Sequence, residues 1–387
     1  MSNERRLTGL AYACLLMFGL HAGWIGPFLA QISHSLFIPI DDAGLVISAA
    51  SAGYFVALLV VGSLSHRWSA QKILVVAMAL FGAGLIGLAL AAGLPTLLAA
   101  GVLIGVGNGA IDVAANALVV DLNRDRLAAA LNYLHMLFGV GALMGPLIVG
   151  FALARMVPYW WIFAGGGLAC WTVALSLFIS PAVEVRVPTT PGGFLTLLAR
   201  PLIWVLGGML CLYVGGEMGI GAWLFLYLRT AAALGATVAS WGVSFYWLGL
   251  IVGRIVGGRL AHRIAVREVT ILASTLSAIA LVGLIAAPMT HVVAAAMVFL
   301  IGFGYGPIFP NMIAVGATRF PSQVGRMSSI VIAGGALGGV FVPWLMGRAM
   351  AEATPRSSME FMEFALGVTV LMALLAVAVR GGDQPIV

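Results

Sequence analysis

The sequence predicts an all-α membrane protein, twelve transmembrane helices arranged as two pseudo-symmetric six-helix bundles. Three observations predict it. Of 387 residues, 62% are hydrophobic and 8% charged, and the mean hydropathy is +1.11; a soluble domain carries about 25% charged residues. Apolar stretches of roughly 20 residues, each long enough to cross a bilayer core, recur along the whole length. The chain also repeats itself at an offset of about 196 residues. Gly62-Ser63-Leu64-Ser65-His66-Arg67 returns as Gly258-Arg259-Leu260-Ala261-His262-Arg263. Leu103-Ile104-Gly105-Val106-Gly107-Asn108-Gly109 returns as Leu300-Ile301-Gly302-Phe303-Gly304-Tyr305-Gly306, and Gly141-Ala142-Leu143 as Gly335-Ala336-Leu337. Collinear matches so far apart indicate two homologous halves folded the same way.

The spans are expected at 7–33, 42–65, 72–94, 95–121, 127–154, 157–180, 200–228, 237–258, 267–288, 291–317, 324–350 and 360–380. Arg5-Arg6 before an apolar run resembles a signal peptide, but further spans follow, so the run reads as the first membrane helix. Glycine, 50 of 387 residues, is abundant because helices packing in lipid need close backbone approach. Pro188-Thr189-Thr190-Pro191-Gly192-Gly193 is linker chemistry. Residues 1–181 and 200–387 are therefore expected as the two bundles, joined by a cytoplasmic linker at 182–199. Fourteen of the nineteen basic residues, from Arg5 to Arg380, fall on one side of this topology. The positive-inside rule then places both termini in the cytoplasm of a multi-pass inner-membrane protein. The net charge of +6 thus reports topology and implies no nucleic-acid partner. Cys14, Cys170 and Cys211 all lie inside spans, with neither disulfide nor metal spacing. No metal and no cofactor is expected. The expected partners are the lipid bilayer and a small-molecule substrate, and a monomer suffices.

Polar residues inside the spans carry the chemistry. Asp112 lies nine residues before Asp121, about 14 Å at helical rise, near mid-membrane. A carboxylate there must be protonated, paired or facing water. Asn108, Asp112 and Asn116 follow at i, i+4, i+8 and form one polar stripe. His135, nine residues after Arg126 on the next, oppositely running span, reaches the same depth. It is expected to pair with Asp112 as a proton relay, with Asn132 on the same face. Glu217 is the second intramembrane carboxylate, with Tyr213 four residues earlier. His21 is its counterpart in the first half, and the pseudo-twofold would set the two on opposite walls of one cavity. Trp223, Tyr246 and Trp247 suit sugar stacking and suit helix packing equally well. Arg254, five residues before Arg259, is close enough to the inner boundary to snorkel. Gly105, Gly107 and Gly109 form no nucleotide-binding turn, which needs a preceding strand.

The loop Gly62-Ser63-Leu64-Ser65-His66-Arg67 resembles the signature of the major facilitator superfamily, with His66 where that family usually has Asp. The resemblance implies a gating role for Gly62, His66 and Arg67 and for their copies Gly258, His262 and Arg263. Gly109-Ala110-Ile111-Asp112-Val113-Ala114-Ala115-Asn116 is similar to the fourth helix of one branch, the fucose–galactose–glucose:proton symporters and their sodium-dependent glucose transporter relatives. Leu134-His135-Met136-Leu137-Phe138-Gly139 resembles that branch's fifth helix, Tyr213-Val214-Gly215-Gly216-Glu217 its seventh, and Gly253-Arg254 its eighth. The resemblance implies that Asp112 handles the coupling proton or the substrate. It also implies that Asn116, His135 and Glu217 are polar positions of a central cavity. The fucose symporter's acidic residue on its first helix has no counterpart here, where Gly23-Trp24-Ile25-Gly26-Pro27 stands.

These readings predict a secondary transporter working by alternating access. Its expected cargo is a small polar metabolite, a sugar first, held between the halves and moved with protons. Asp112, His135 and Glu217 are the expected proton-coupling residues. His21, Asn108, Asn116, Asn132, Tyr213, Glu217, Trp223 and Tyr246 are the expected substrate contacts. The competing reading is a proton-antiport efflux carrier for drugs or amphipathic metabolites. The expected coupling ion is H+, with Na+ as the alternative. An enzyme would need a nucleophile with its base or a metal cluster, and no such motif stands in the sequence.

Overall fold

A computed structural model describes residues 3–64, 68–123, 127–183, 197–261, 263–286, 290–320, 324–352, 354, 356–357 and 359–360. Their regular elements are all α-helices. In the first half these are α1 (Asn3–Ala22), α2 (Ile25–Leu36), α3 (Ile40–Leu64), α4 (Ala70–Ala89), α5 (Leu94–Leu122), α6 (Leu127–Ala154) and α7 (Tyr159–Phe178). The second half holds α8 (Pro201–Thr230), α9 (Ala236–Leu260), α10 (Val266–Ala286), α11 (His291–Tyr305), α12 (Ile308–Arg319) and α13 (Val324–Glu352). Among the described residues ten spans are long and apolar enough to cross a membrane, eleven if the bent pair α1–α2 is one span. The span expected at 360–380 lies outside the described residues, as does most of the expected linker.

Two expected spans are interrupted, each beside a proline. The first, expected as one helix over 7–33, is α1 and α2 bent by 56°. Pro27 has no N–H for the Gly23 carbonyl one turn back. Gly23 itself is pressed against Pro146 of α6, where a Cβ would collide with the proline ring. The span expected over 291–317 breaks between α11 and α12 at Gly306-Pro307 for the same reason. Elsewhere the ends follow ordinary capping: Ser69 accepts from the Lys72 N–H at the start of α4, and Thr290 from Val293 N–H at the start of α11.

The chain divides into two compact units, Met1–Thr189 and Thr190–Val387. Each packs its helices in the same pairs. In the first unit α1 lies along α6, α3 along α5, and α4 along α5 and α7. In the second, α8 lies along α13, α9 along α11, and α10 along α11. The repeated glycines are where these pairs touch. A Cβ on Gly105 would run into the Ala50 carbonyl of α3, and one on Gly253 into the Phe303 carbonyl of α11. Polar side chains add stitches across the same bundles: Gln71 Nε2 donates to the Leu177 carbonyl at 2.9 Å, and Ser277 Oγ to the Ile301 carbonyl at 2.7 Å. Outward faces remain apolar, with Leu59, Phe151, Leu168, Leu175 and Ile279 all exposed, as helices solvated by lipid require. Trp160 and Trp161 stack at the start of α7, in the manner of an interfacial belt.

The crossing of α9 and α11 makes a stability prediction. Gly253→Ala forces backbone apart and is expected to cost about 1–3 kcal/mol. Gly258→Ala meets nothing within 4 Å and gains helix propensity, roughly 0.5–1 kcal/mol. Thermal unfolding of the two detergent-solubilised variants should therefore shift in opposite directions. Shifts of the same sign would show that the crossing is not close-packed.

Candidate functional site

In the first bundle the close approach of α3 to α5 puts a phenol beside the intramembrane carboxylate. Tyr54 donates its hydroxyl to Asp112 Oδ2 at 2.6 Å. Asn116 Nδ2 donates to Asp112 Oδ1 at 3.1 Å and to the Asp112 carbonyl at 2.7 Å. The carboxylate thus has a donor on each oxygen, one from a neighbouring helix and one from its own. Asn108, a turn earlier, is buried, and its Oδ1 has no partner among the described residues. The stripe Asn108–Asp112–Asn116 is therefore intact along α5, and Tyr54 extends it onto α3.

The partner expected for Asp112 was His135, and Tyr54 takes that place. His135 lies on α6 with its side chain exposed. Matching depth on two spans fixes height in the membrane and leaves azimuth undetermined. Here α5 is flanked chiefly by α3 and α4, while α6 lies along α1. His21 is also placed differently from the expectation. Its ring packs edge-on to Phe81 at 5.6 Å and to Phe163 at 6.5 Å, inside the aromatic core of the first bundle.

The second bundle holds a charged cluster. Tyr213 and Glu217 stand one turn apart on α8, and Arg254 reaches both from α9. Arg254 Nη2 lies 3.4 Å from Glu217 Oε1 and donates at 3.4 Å to the Tyr213 hydroxyl. The Glu217 side chain is 9% exposed and that of Arg254 36%, so the cluster is accessible along the Arg254 side chain. Arg254 is therefore an ion-pair partner and not merely a snorkelling residue. Tyr305 from α11 packs on Tyr213 at 5.4 Å between ring centroids, and Phe309 from α12 at 6.1 Å. Tyr246 closes the cluster from α9, its ring 6.3 Å from that of Tyr305. Glycine makes this possible too: a Cβ on Gly302 would strike the Tyr246 carbonyl, and one on Gly306 would crowd the Arg254 N–H.

Trp223 is fully buried and donates its indole N–H to the Pro343 carbonyl at 2.9 Å. That bond satisfies the buried indole N–H and holds α8 against α13, so the side chain works as a packing element. Of the residues expected to gate, Gly62 lies in the last turn of α3, Gly258 on α9, and Arg263 beyond its end. His66, Arg67 and His262 lie outside the described residues, as does the side chain of Asn132.

A model of the Major Facilitator Superfamily matches residues 11–381. The chain belongs to that superfamily. It is accordingly a multi-pass membrane transporter of small molecules. Among curated proteins it is 24% identical to Bypass of stop codon protein 6 of Saccharomyces cerevisiae, over 87% of this chain and 76% of that protein. It is 26% identical to the enterobactin exporter EntS of Salmonella paratyphi A, over 90% and 85%. It is 23% identical to the glucose/mannose transporter GlcP of Bacillus subtilis, over 93% and 89%. A crystal structure of a mutant nucleoside transporter NupG superposes with a TM-score of 0.81, covering 98% of this chain and 100% of that one at 11% identity. At that identity the superposition speaks for the fold alone.

Proposed function

We propose that this transporter takes up a small polar metabolite, a sugar, together with protons, and belongs to the fucose–galactose–glucose:proton symporter branch. The observation that carries the reading is the Tyr54–Asp112–Asn116 group. A charged side chain at the centre of a membrane helix costs about 2.5–3.5 kcal/mol. Asp112 has its charge met by two donors, both of which can also serve a protonated carboxyl. A carboxyl so held exchanges a proton without leaving an unpaired group in either state. Asn116 is then a hydrogen-bond partner of the substrate, since a sugar leaving water must exchange every hydroxyl's bond. The likeness to a glucose/mannose transporter supports the same reading. We place the protein as a monomer in the inner membrane, both termini cytoplasmic and H+ as the coupling ion.

A second reading is favoured by one finding, the comparable likeness to an enterobactin exporter: efflux by proton antiport. The two separate in proteoliposomes that enclose a pH dye and are challenged with neutral and acidic monosaccharides at zero membrane potential. Lumenal acidification on adding one sugar is the expected result. Alkalinisation driven by lipophilic cations, with silence across the sugars, would replace symport by antiport. Acidification that needs external sodium would move the coupling to Na+.

A further inference from the structure

The second bundle surrounds one carboxylate with more hydrogen-bond donors than it can use. Arg254 can only donate, and its Nη2 is shared between Glu217 and Tyr213. Its Nε is buried and has no partner among the described residues. The hydroxyls of Tyr246 and Tyr305 are buried without partners as well, on side chains with no exposed surface. The ring contacts gather these phenols about Tyr213. Buried donors left unpaired oppose folding, and a purely structural ion pair would be expected to have its remaining donors satisfied. Three unspent donors in one cluster, beside a side chain that is 36% exposed, match an acceptor-rich ligand. A neutral hexose brings about as many donors as acceptors and does not correct the imbalance. A carboxylate brings acceptors only.

We propose that Tyr213, Glu217, Tyr246, Arg254 and Tyr305 form a carboxylate-binding subsite, so that the sugar carried is a sugar acid. This rests on the sugar–proton reading and narrows its substrate class. The charge balance is simple. A proton binds a Glu217 carboxyl oxygen, the ion pair dissolves, and Arg254 is left without its counter-charge. The substrate carboxylate takes that place, accepting from Arg254 and from the free phenols. On release the carboxylate departs, Glu217 loses its proton, and the Glu217–Arg254 pair re-forms. This exchange is balanced in itself, and with the proton that Asp112 exchanges the whole cycle carries one net positive charge inward.

The test uses the full-length wild-type protein in proteoliposomes with an internal pH dye, given matched pairs: gluconate against glucose, galacturonate against galactose. The acid of a pair should drive acidification at least about tenfold faster than its neutral partner, the factor that one hydrogen bond to a charged group supports. That rate should rise when an inside-negative potential is set with potassium and valinomycin. Arg254→Gln should lower it by about tenfold or more. If that variant does not fold, melting of the wild-type protein decides: gluconate should raise the transition temperature and glucose should not. Neutral sugars carried as well as their acids overturn the inference and leave the sugar–proton reading standing. So does uptake of the acid that an inside-negative potential leaves unchanged. Silence of every sugar, acid and neutral, overturns both.

Discussion

Asp112→Asn is expected to reduce sugar-driven acidification to the level of protein-free liposomes while the protein still folds. The amide has the shape of the carboxyl, and its oxygen can still accept the Tyr54 hydroxyl, which now lies 2.6 Å from Asp112 Oδ2. What it lacks is a titratable proton. Tyr54→Phe removes one donor and keeps the ring, which also lies 6.4 Å from Phe18. Losing a hydrogen bond to a charged group costs about 1.5–3 kcal/mol, so transport should slow by roughly tenfold or more. His135→Asn should slow it less than Tyr54→Phe does. The opposite order would return His135 to the role of partner to Asp112. An Asp112→Asn protein that still acidifies at the wild-type rate would move proton coupling elsewhere in the chain.

Arg254→Met should strongly destabilise the second bundle. It leaves Glu217 buried and charged among aromatic rings, and breaking such a pair from one side costs about 3–5 kcal/mol. Removing both charges in Arg254→Met with Glu217→Gln should recover most of that loss, because a buried pair replaced entirely by neutral groups is often close to neutral in stability. Melting of the two single variants and the double variant in detergent gives the coupling. A double variant whose loss equals the sum of the two single losses would mean that the 3.4 Å approach of Nη2 to Oε1 contributes nothing to the folded state.

Much of this was legible before any coordinates. Composition and periodic apolar runs predict membrane helices, and the repeat predicts two like bundles. The described helices follow the expected spans except where Pro27 and Pro307 interrupt them. Asp112, Asn116, Tyr213 and Glu217 stood out because a polar group in lipid is costly and so requires a reason. The partners were harder. Tyr54 is one aromatic residue among many in an apolar span, and nothing in its local sequence marks it. Its role comes from helix azimuth, which depth along two spans does not determine. Tyr305 was visible only as a letter within a repeated glycine motif. Arg254 carried a usable signal, lying four residues inside the end of an expected span, and its closeness to the membrane edge concealed its pairing with Glu217. His21 and Trp223 show the reverse error. A polar ring in a membrane helix draws attention to function, and here both are absorbed in packing, His21 against Phe81 and Phe163 and Trp223 against Pro343.

The glycine contacts between α3 and α5, and between α9 and α11, bear on how such a protein changes over generations. Both crossings hold backbone against backbone through residues that have no side chain, so the scaffold does not depend on what is mounted beside it. One copy carries a phenol, a carboxylate and an amide; the other carries a carboxylate, a guanidinium and three phenols. After a duplication, each copy of the crossing can acquire its own chemistry by single substitutions without refolding. Descendants of one ancestral bundle can therefore diverge in cargo and in driving ion while their helices keep the same neighbours.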